Sequence, residues 1–344
     1  MRIAIVNDLA LAVEALRRAV GSIEGASVAW VARDGGEAIA LCARERPDLV
    51  LMDLVMPGID GVAATREIMQ RSPCPVLIVT ASVRGNVGKV YEALGYGALD
   101  AVATPRLGLG GGLEGAAELV RKIATVRALA SDRELPASHT DVAGVADGGA
   151  AAGSVPPLVV IGASTGGPAA LAAVLGALPS DLRAAVAVVQ HVDIAFAPGL
   201  ARWLAHRVAL SVAPLTAPQP LRPGHVWLAA GEGHLALRDD LQLELIDEPR
   251  DLLHRPSIDV LFESVARRIA GGCGVLLTGM GRDGARGLLA LRRAGFHTIA
   301  QDERSSVVWG MPRAAVEGGG ASEVLPLDRI AARVAAIVGD LCGR

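Results

Sequence analysis

Short apolar runs rich in β-branched residues, each followed by a stretch with helical periodicity, recur along most of this chain. Arg2–Val6, Ser27–Ala32, Asp48–Met52, Val76–Thr80 and Ala98–Ala103 are such runs, and helical patterns such as Ala10–Val20 and Gly61–Arg71 lie between them. A run that is apolar throughout suits a strand covered on both faces, and strand–helix alternation makes the sheet parallel. The alternation lapses over Ser131–Ser154, a stretch of Ala, Gly, Ser and Asp with scattered prolines. Such a composition cannot bury a core and reads as a flexible linker. It resumes with Leu158–Ile161, Ala185–Gln190, Val226–Ala230 and Val275–Thr278 as strands. Leu235–Leu245 alternates around Asp239-Asp240 as a hairpin would, and Ile258–Ile269 and Ala285–Ala294 read as helices. The expected fold is α/β: two doubly wound parallel-sheet domains, residues 1–128 and 156–344, joined by a linker over residues 129–155. With 344 residues, 51% of them hydrophobic, the chain has material for two cores.

The net charge of -3 gives no electrostatic reason to expect a nucleic-acid partner. The four cysteines, Cys42, Cys74, Cys273 and Cys342, lie far apart with no pair at zinc-ligand spacing, and read as thiols in a reducing compartment. Met1-Arg2-Ile3-Ala4-Ile5-Val6 enters a strand without a signal-peptide layout. No apolar run reaches the roughly 18 residues of a membrane helix. A cytoplasmic protein without direct membrane insertion is expected.

The chemistry concentrates at the ends of the apolar runs. Leu158-Val-Val-Ile-Gly-Ala-Ser-Thr-Gly-Gly-Pro168 breaks a strand with a Gly-x-Ser-x-Gly pattern. A sharp strand-to-helix turn there lifts the Ser164 hydroxyl above the sheet edge, where it can act as a nucleophile. The same residues also suit a plain glycine turn or a phosphate cradle on a helix N-terminus. A serine nucleophile needs a base, an orienting acid and oxyanion donors. His191 closes the run Ala185–Gln190, and Asp283 stands in Leu276-Leu-Thr-Gly-Met-Gly-Arg-Asp-Gly-Ala285, just before a helix. A lone histidine is usually structural or solvated, although the end of a strand suits a base, and Asp283 taken singly reads as an N-cap. Together, at the ends of three separate runs, Ser164, His191 and Asp283 form a catalytic constellation, with the Thr165 and Met280 amides as oxyanion donors. The order Ser, His, Asp differs from that of α/β-hydrolases. A nucleotide-binding module would lack a P-loop lysine and leave His191 and Asp283 unexplained. A non-catalytic scaffold would not explain the intact trio.

In the amino-terminal half, Asp53 ends a run and is followed by Pro57-Gly58, Asn7-Asp8 ends the first run, and Thr80 ends the fourth. A lone aspartate in this place is often a helix cap. Neighbouring acids bind Mg²⁺, which takes oxygen ligands and can bridge to a phosphoryl group.

With these motifs in view, residues 1–128 resemble a response-regulator receiver domain. The resemblance implies Asp53 as phospho-acceptor, Asp8 and Asp53 as Mg²⁺ ligands, Thr80 as a phosphoryl-sensing hydroxyl, and a histidine kinase as phosphodonor. Asn7 stands where the family has a second acid, and Thr104-Pro105 where it has Lys-Pro; the Thr104–Pro105 bond is a candidate for cis. Residues 156–340 resemble the CheB methylesterase family through Ile161-Gly-Ala-Ser-Thr-Gly-Gly167, Val189-Gln-His191, Arg255-Pro-Ser-Ile-Asp-Val-Leu-Phe262, Thr278-Gly-Met-Gly-Arg-Asp-Gly284 and Gln301–Val308 followed by Gly310-Met-Pro312. That resemblance implies hydrolysis of glutamate γ-methyl esters, with deamidation of glutamine, on cytoplasmic helices of methyl-accepting chemoreceptor-like proteins, and no cofactor in the catalytic domain. Asn7-Asp8, Thr104-Pro105 and Val13-Glu-Ala-Leu-Arg-Arg18 resemble the surface-sensing, Wsp-type branch, which controls cyclic-di-GMP synthesis.

Overall fold

The structure, a computed structural model, describes residues 1–81, 83–108, 112–132, 156–192, 194, 196–252 and 254–343. The chain divides into two compact units, Met1–Ser138 and His139–Arg344. The expected linker lies outside the described residues, save where the last helix of the first unit runs on to Asp132.

The first unit begins β1 (Arg2–Val6), α1 (Ala10–Gly21), β2 (Ser27–Ala32), α2 (Gly35–Arg44), β3 (Leu49–Met52) and α3 (Gly61–Arg71). It continues β4 (Val76–Thr80), α4 (Val83–Gly95) and β5 (Asp100–Ala103), then a small hairpin of β6 (Arg106–Leu107) and β7 (Leu113–Glu114), and α5 (Ala116–Asp132). Strands β1–β5 form a parallel sheet in the order β2-β1-β3-β4-β5. β3 and β4 are buried along their whole length, which is why they read as unbroken apolar runs. Ile3, Ile5, Leu49, Leu51 and Leu77 pack with Leu16 and Val20 of α1 and Leu119 and Ile123 of α5. The strand order reverses between β1 and β3, opening a crevice at their carboxyl ends. Asp8 and Asp53 flank it.

The second unit runs β8 (Leu158–Ala163), α6 (Gly167–Gly176), β9 (Ala185–Gln190), α7 (Ala197–Ala205), β10 (Ser211–Leu215), β11 (Gln219–Pro220), β12 (His225–Ala229), β13 (His234–Leu237) and β14 (Gln242–Ile246). There follow α8 (Ile258–Ala266), β15 (Cys273–Leu276), α9 (Ala285–Arg293), β16 (His297–Gln301), α10 (Met311–Glu317), β17 (Glu323–Leu325) and α11 (Leu327–Gly343). Its main sheet is parallel throughout, in the order β10-β12-β9-β8-β15-β16-β17. β13 and β14 are the expected hairpin, with Leu241 at φ 61° in the turn, and β11 pairs onto it. Chain direction across the sheet switches between β8 and β15. Ser164 therefore follows the strand at the switch point, where such sheets hold their ligands.

Three strands of this sheet are not evident in the sequence. β10 carries Pro214, which the ladder tolerates because the strand lies at the edge. β17 is the opposite edge and only three residues long. β16 interrupts its apolar pattern with Thr298 and Gln301, both fully buried; the Thr298 hydroxyl lies 2.8 Å from that of Ser322. The cis X-Pro bonds among the described residues are Glu248–Pro249 and Arg255–Pro256, so Thr104–Pro105 is trans. Among the described residues no helix is long and apolar enough to cross a membrane. All four cysteines are free.

Candidate active site

The turn after β8 is built around glycine. Gly166 adopts φ 76° as the N-cap of α6, a conformation that L side chains rarely take, and a Cβ there would also strike Val307. A Cβ on Gly167 would run into the Gln190 amide oxygen. That close approach lets Gln190, buried at the end of β9, donate through Nε2 to the Ser164 carbonyl at 2.8 Å and the His191 carbonyl at 3.0 Å. The Ser164 amide donates to the Thr278 carbonyl at 3.0 Å, fastening the turn to the strand end on its other side. The Thr278 hydroxyl donates to the Thr165 carbonyl at 3.0 Å and accepts from the Val308 amide at 2.9 Å. The Gln301–Val308 motif thus holds the serine turn from behind. Among the described residues neither the Thr165 nor the Met280 amide donates to a backbone carbonyl outside helices and strands.

His191 and Asp283 meet. Nε2 of His191 lies 2.8 Å from Oδ2 of Asp283, so beside an ionised carboxylate Nε2 carries the proton. Nδ1 is buried and has no hydrogen-bond partner among the described residues. Nδ1 is thus the ring nitrogen free to accept a proton, and among the described residues the Ser164 hydroxyl is not bonded to it. Catalytic hydrogen bonds are often loose before substrate arrives.

Asp283 accepts three more hydrogen bonds: from the Ser257 hydroxyl at 2.8 Å, the Ile258 amide at 2.7 Å and the Asp259 amide at 3.1 Å. Those two amides open α8, so the carboxylate sits at a helix N-terminus where negative charge is favoured. Burial pushes its pKa up, but the His191 bond and charge and the two amides outweigh burial and hold it far below the ordinary carboxylate range. The capping reading of Asp283 is realised on an unexpected helix: Gly284 caps α9, and Asp283 serves α8.

Several residues of this site have contacts that the sequence does not show, although Arg255 and Ser257 lie in the Arg255–Phe262 motif. Ser257 caps α8 through the Val260 amide while donating to Asp283. His234, fully buried, accepts from the Ser257 amide at 3.0 Å and donates to the Pro249 carbonyl at 2.8 Å. The His254 ring stacks on His191, with centroids 4.1 Å apart and planes inclined by 11°. Arg255 pairs with Asp247 at 2.7 Å. Trp309 donates to the Gln301 carbonyl at 3.0 Å.

In the first unit Asp53 does not cap a helix; Asp60 caps α3, accepting from Ala63. Asp53 is buried, and Asn7 donates to its Oδ2 at 3.1 Å. Burial, with the Asp8 charge adding to it, pushes its pKa up to about 6 against the pull of the Leu54 and Val55 amides. Oδ1 of Asp8 is buried without a partner among the described residues, an atom suited to a hard divalent cation. Among the described residues no group of three or more His, Cys, Asp or Glu is placed to hold a metal, so a cation here would take its other ligands from water, carbonyl or phosphoryl oxygens. Thr80 is buried, its carbonyl accepting from the Thr104 amide at 3.0 Å, and the Thr104 hydroxyl is buried without a partner. The chain has only two lysines, Lys89 and Lys122. They pair with Asp60 at 2.9 Å and Asp100 at 2.7 Å.

Residues 159–334 match the family model described as CheB methylesterase, and residues 3–106 match that of the response regulator receiver domain. A protein named protein-glutamate methylesterase/protein-glutamine glutaminase 4, from Burkholderia thailandensis, is 52% identical, over 98% of this chain and 98% of its own. The protein-glutamate methylesterase/protein-glutamine glutaminase of group 3 operon from Pseudomonas putida is 50% identical, over 97% of this chain and 98% of its own.

Proposed function

The chain belongs to the CheB methylesterase family and is a protein-glutamate methylesterase/protein-glutamine glutaminase with a receiver domain; from that footing we propose that it works by a Ser-His-Asp mechanism on chemoreceptor-like proteins, under control of Asp53. The Ser164 hydroxyl attacks the γ-carbonyl of a methylated glutamate while Nδ1 of His191 takes its proton. The Thr165 and Met280 amides hold the oxyanion. Collapse expels methoxide, which leaves as methanol with the proton from His191, and Ser164 keeps the glutamyl group as an ester. Water, deprotonated by His191, then releases the free carboxylate. With glutamine the first product is ammonia. Asp283 holds the tautomer and stabilises the imidazolium. No step calls on a cofactor in the catalytic domain.

The observation that carries this reading is the His191–Asp283 pair, with Nε2 engaged and Nδ1 buried and open. The substrate is taken to lie on the cytoplasmic helices of a methyl-accepting receptor. Asp53 is the phospho-acceptor, a histidine kinase the donor, and Thr80 supplies the hydroxyl that senses the phosphoryl group. Asp8 and Asp53 would hold Mg²⁺, which offsets negative charge between the acceptor and the incoming phosphoryl group. Asn7-Asp8 and Thr104-Pro105 favour the surface-sensing branch. Methanol release from a methylated chemoreceptor tests the mechanism. Ser164→Ala is expected to lower the rate at least a thousandfold; a rate near wild type removes Ser164 as the nucleophile.

A further inference from the structure

We propose that His254 is a positioning residue for this reaction, its flat ring setting the rotation of the His191 imidazole and so the aim of Nδ1. The proposal rests on the Ser-His-Asp reading above. In His191 the carboxylate partner is on Nε2, at the far end of the ring from Cβ. The axis of the last side-chain torsion runs from Cβ through Cγ and leaves the ring close to Nε2. A hydrogen bond there anchors the tip of the ring but resists rotation about that axis less than a bond at Nδ1 would. This torsion is soft in histidine, with broad rather than sharp minima. Nδ1 lies off the axis, so rotation swings it toward or away from Ser164. Among the described residues nothing hydrogen-bonds to Nδ1 to hold it.

The stack supplies the missing restraint. With centroids 4.1 Å apart and planes within 11° of parallel, His254 covers one face of the imidazole, and rotation of either ring forces the two into contact. His254 and Ser257 lie three residues apart on the strand-free segment leading into α8. One short segment therefore orients both members of the acid–base pair: Ser257 through Asp283, and His254 through the face of His191. The role needs a flat ring and no particular nitrogen.

The test measures kcat and KM for methanol release from a methylated chemoreceptor with His254→Ala, His254→Leu and His254→Phe full-length proteins. Removal of the ring by Ala, or of its flatness by Leu, is expected to lower kcat about tenfold with KM within about twofold. His254→Phe is expected to stay within about threefold of wild type. Equal loss in the Phe and Ala variants, a change confined to KM, or wild-type kcat in the Ala variant would each overturn the proposal. His254→Leu keeps the comparison valid where the smaller Ala side chain lowers the melting temperature. Ser164→Ala, run alongside, reads the underlying mechanism separately: activity surviving there overturns the nucleophile assignment whatever residue 254 does.

Discussion

Four donors converge on the Asp283 carboxylate, and they determine how the catalytic unit responds to acid. Its folded-state pKa is depressed below the ordinary value of 3.8. Its contribution to stability is therefore fully present above about pH 4 and drains away as pH falls further, because the unfolded chain takes up the proton first. Calorimetry from pH 7 to pH 3 is expected to show the wild-type melting temperature falling more steeply below about pH 4 than that of Asp283→Asn; parallel curves would mean that these bonds do not stabilise the charged form. Ser164, His191 and Asp283 were legible because each ends or closely follows an apolar run, and strand ends are where parallel sheets expose side chains. Of the partners of Asp283, His191 was legible as one, whereas Ser257 was legible as part of the Arg255–Phe262 motif and not as a donor to the carboxylate. Ser257 lies 26 residues away in sequence, and only the fold brings its hydroxyl to the carboxylate. His254 stands in a polar stretch with no periodicity, so nothing local separates it from a solvated histidine. The amide of Asn7 on Asp53 was equally hidden, since the sequence shows the loss of an acid but not the bond that replaced it.

At the level of elements, α8 links packing to chemistry. Its apolar side, Ile258, Leu261, Phe262 and Val265, is part of the central core, while its first amides hold Asp283. Ser257→Ala removes both the cap on Val260 and the hydroxyl donated to Asp283. A lost N-cap costs about 1 kcal/mol, so the melting temperature is expected to fall by a few degrees. Loosening of the carboxylate is expected to lower kcat several-fold with KM nearly unchanged, and Ser257→Thr to recover most of both. Wild-type kcat in Ser257→Ala would confine Ser257 to capping. The sequence pattern identified β8, β9 and β15 for the same reason that it overlooked β10, β16 and β17. Central strands buried on both faces have to be apolar along their length, whereas an edge strand can carry Pro214, and an interior one can carry Thr298 once Ser322 satisfies its hydroxyl.

For the whole molecule, the two units place their reactive groups in the same way, at a switch point of a parallel sheet, and the receiver's reactive group differs from its family's pattern in charge. With Asn7 for an acid and both lysines engaged elsewhere, the pocket around Asp53 holds fewer charges of either sign. Treatment with a small phosphodonor such as acetyl phosphate is expected to raise methanol release by the wild type a few-fold and to leave Asp53→Ala unchanged, since a modification shifts only an equilibrium whose states it distinguishes. Equal rates for the two treated proteins would leave the receiver without a phospho-switch. The catalytic sheet has one more property. β8 is paired with β9 on one side and β15 on the other, so Ser164 stands on a seam between halves that spread to opposite edges, and the His191–Asp283 hydrogen bond spans that seam above it. His191 and Asp283 belong to different halves, joined at the mouth by their hydrogen bond, by the Gln190 and Thr278 bonds to Ser164, and by the segment that carries His254 and Ser257. Partial parting of the seam would silence the enzyme while both halves kept their strands, so mild denaturant should abolish turnover before the protein unfolds.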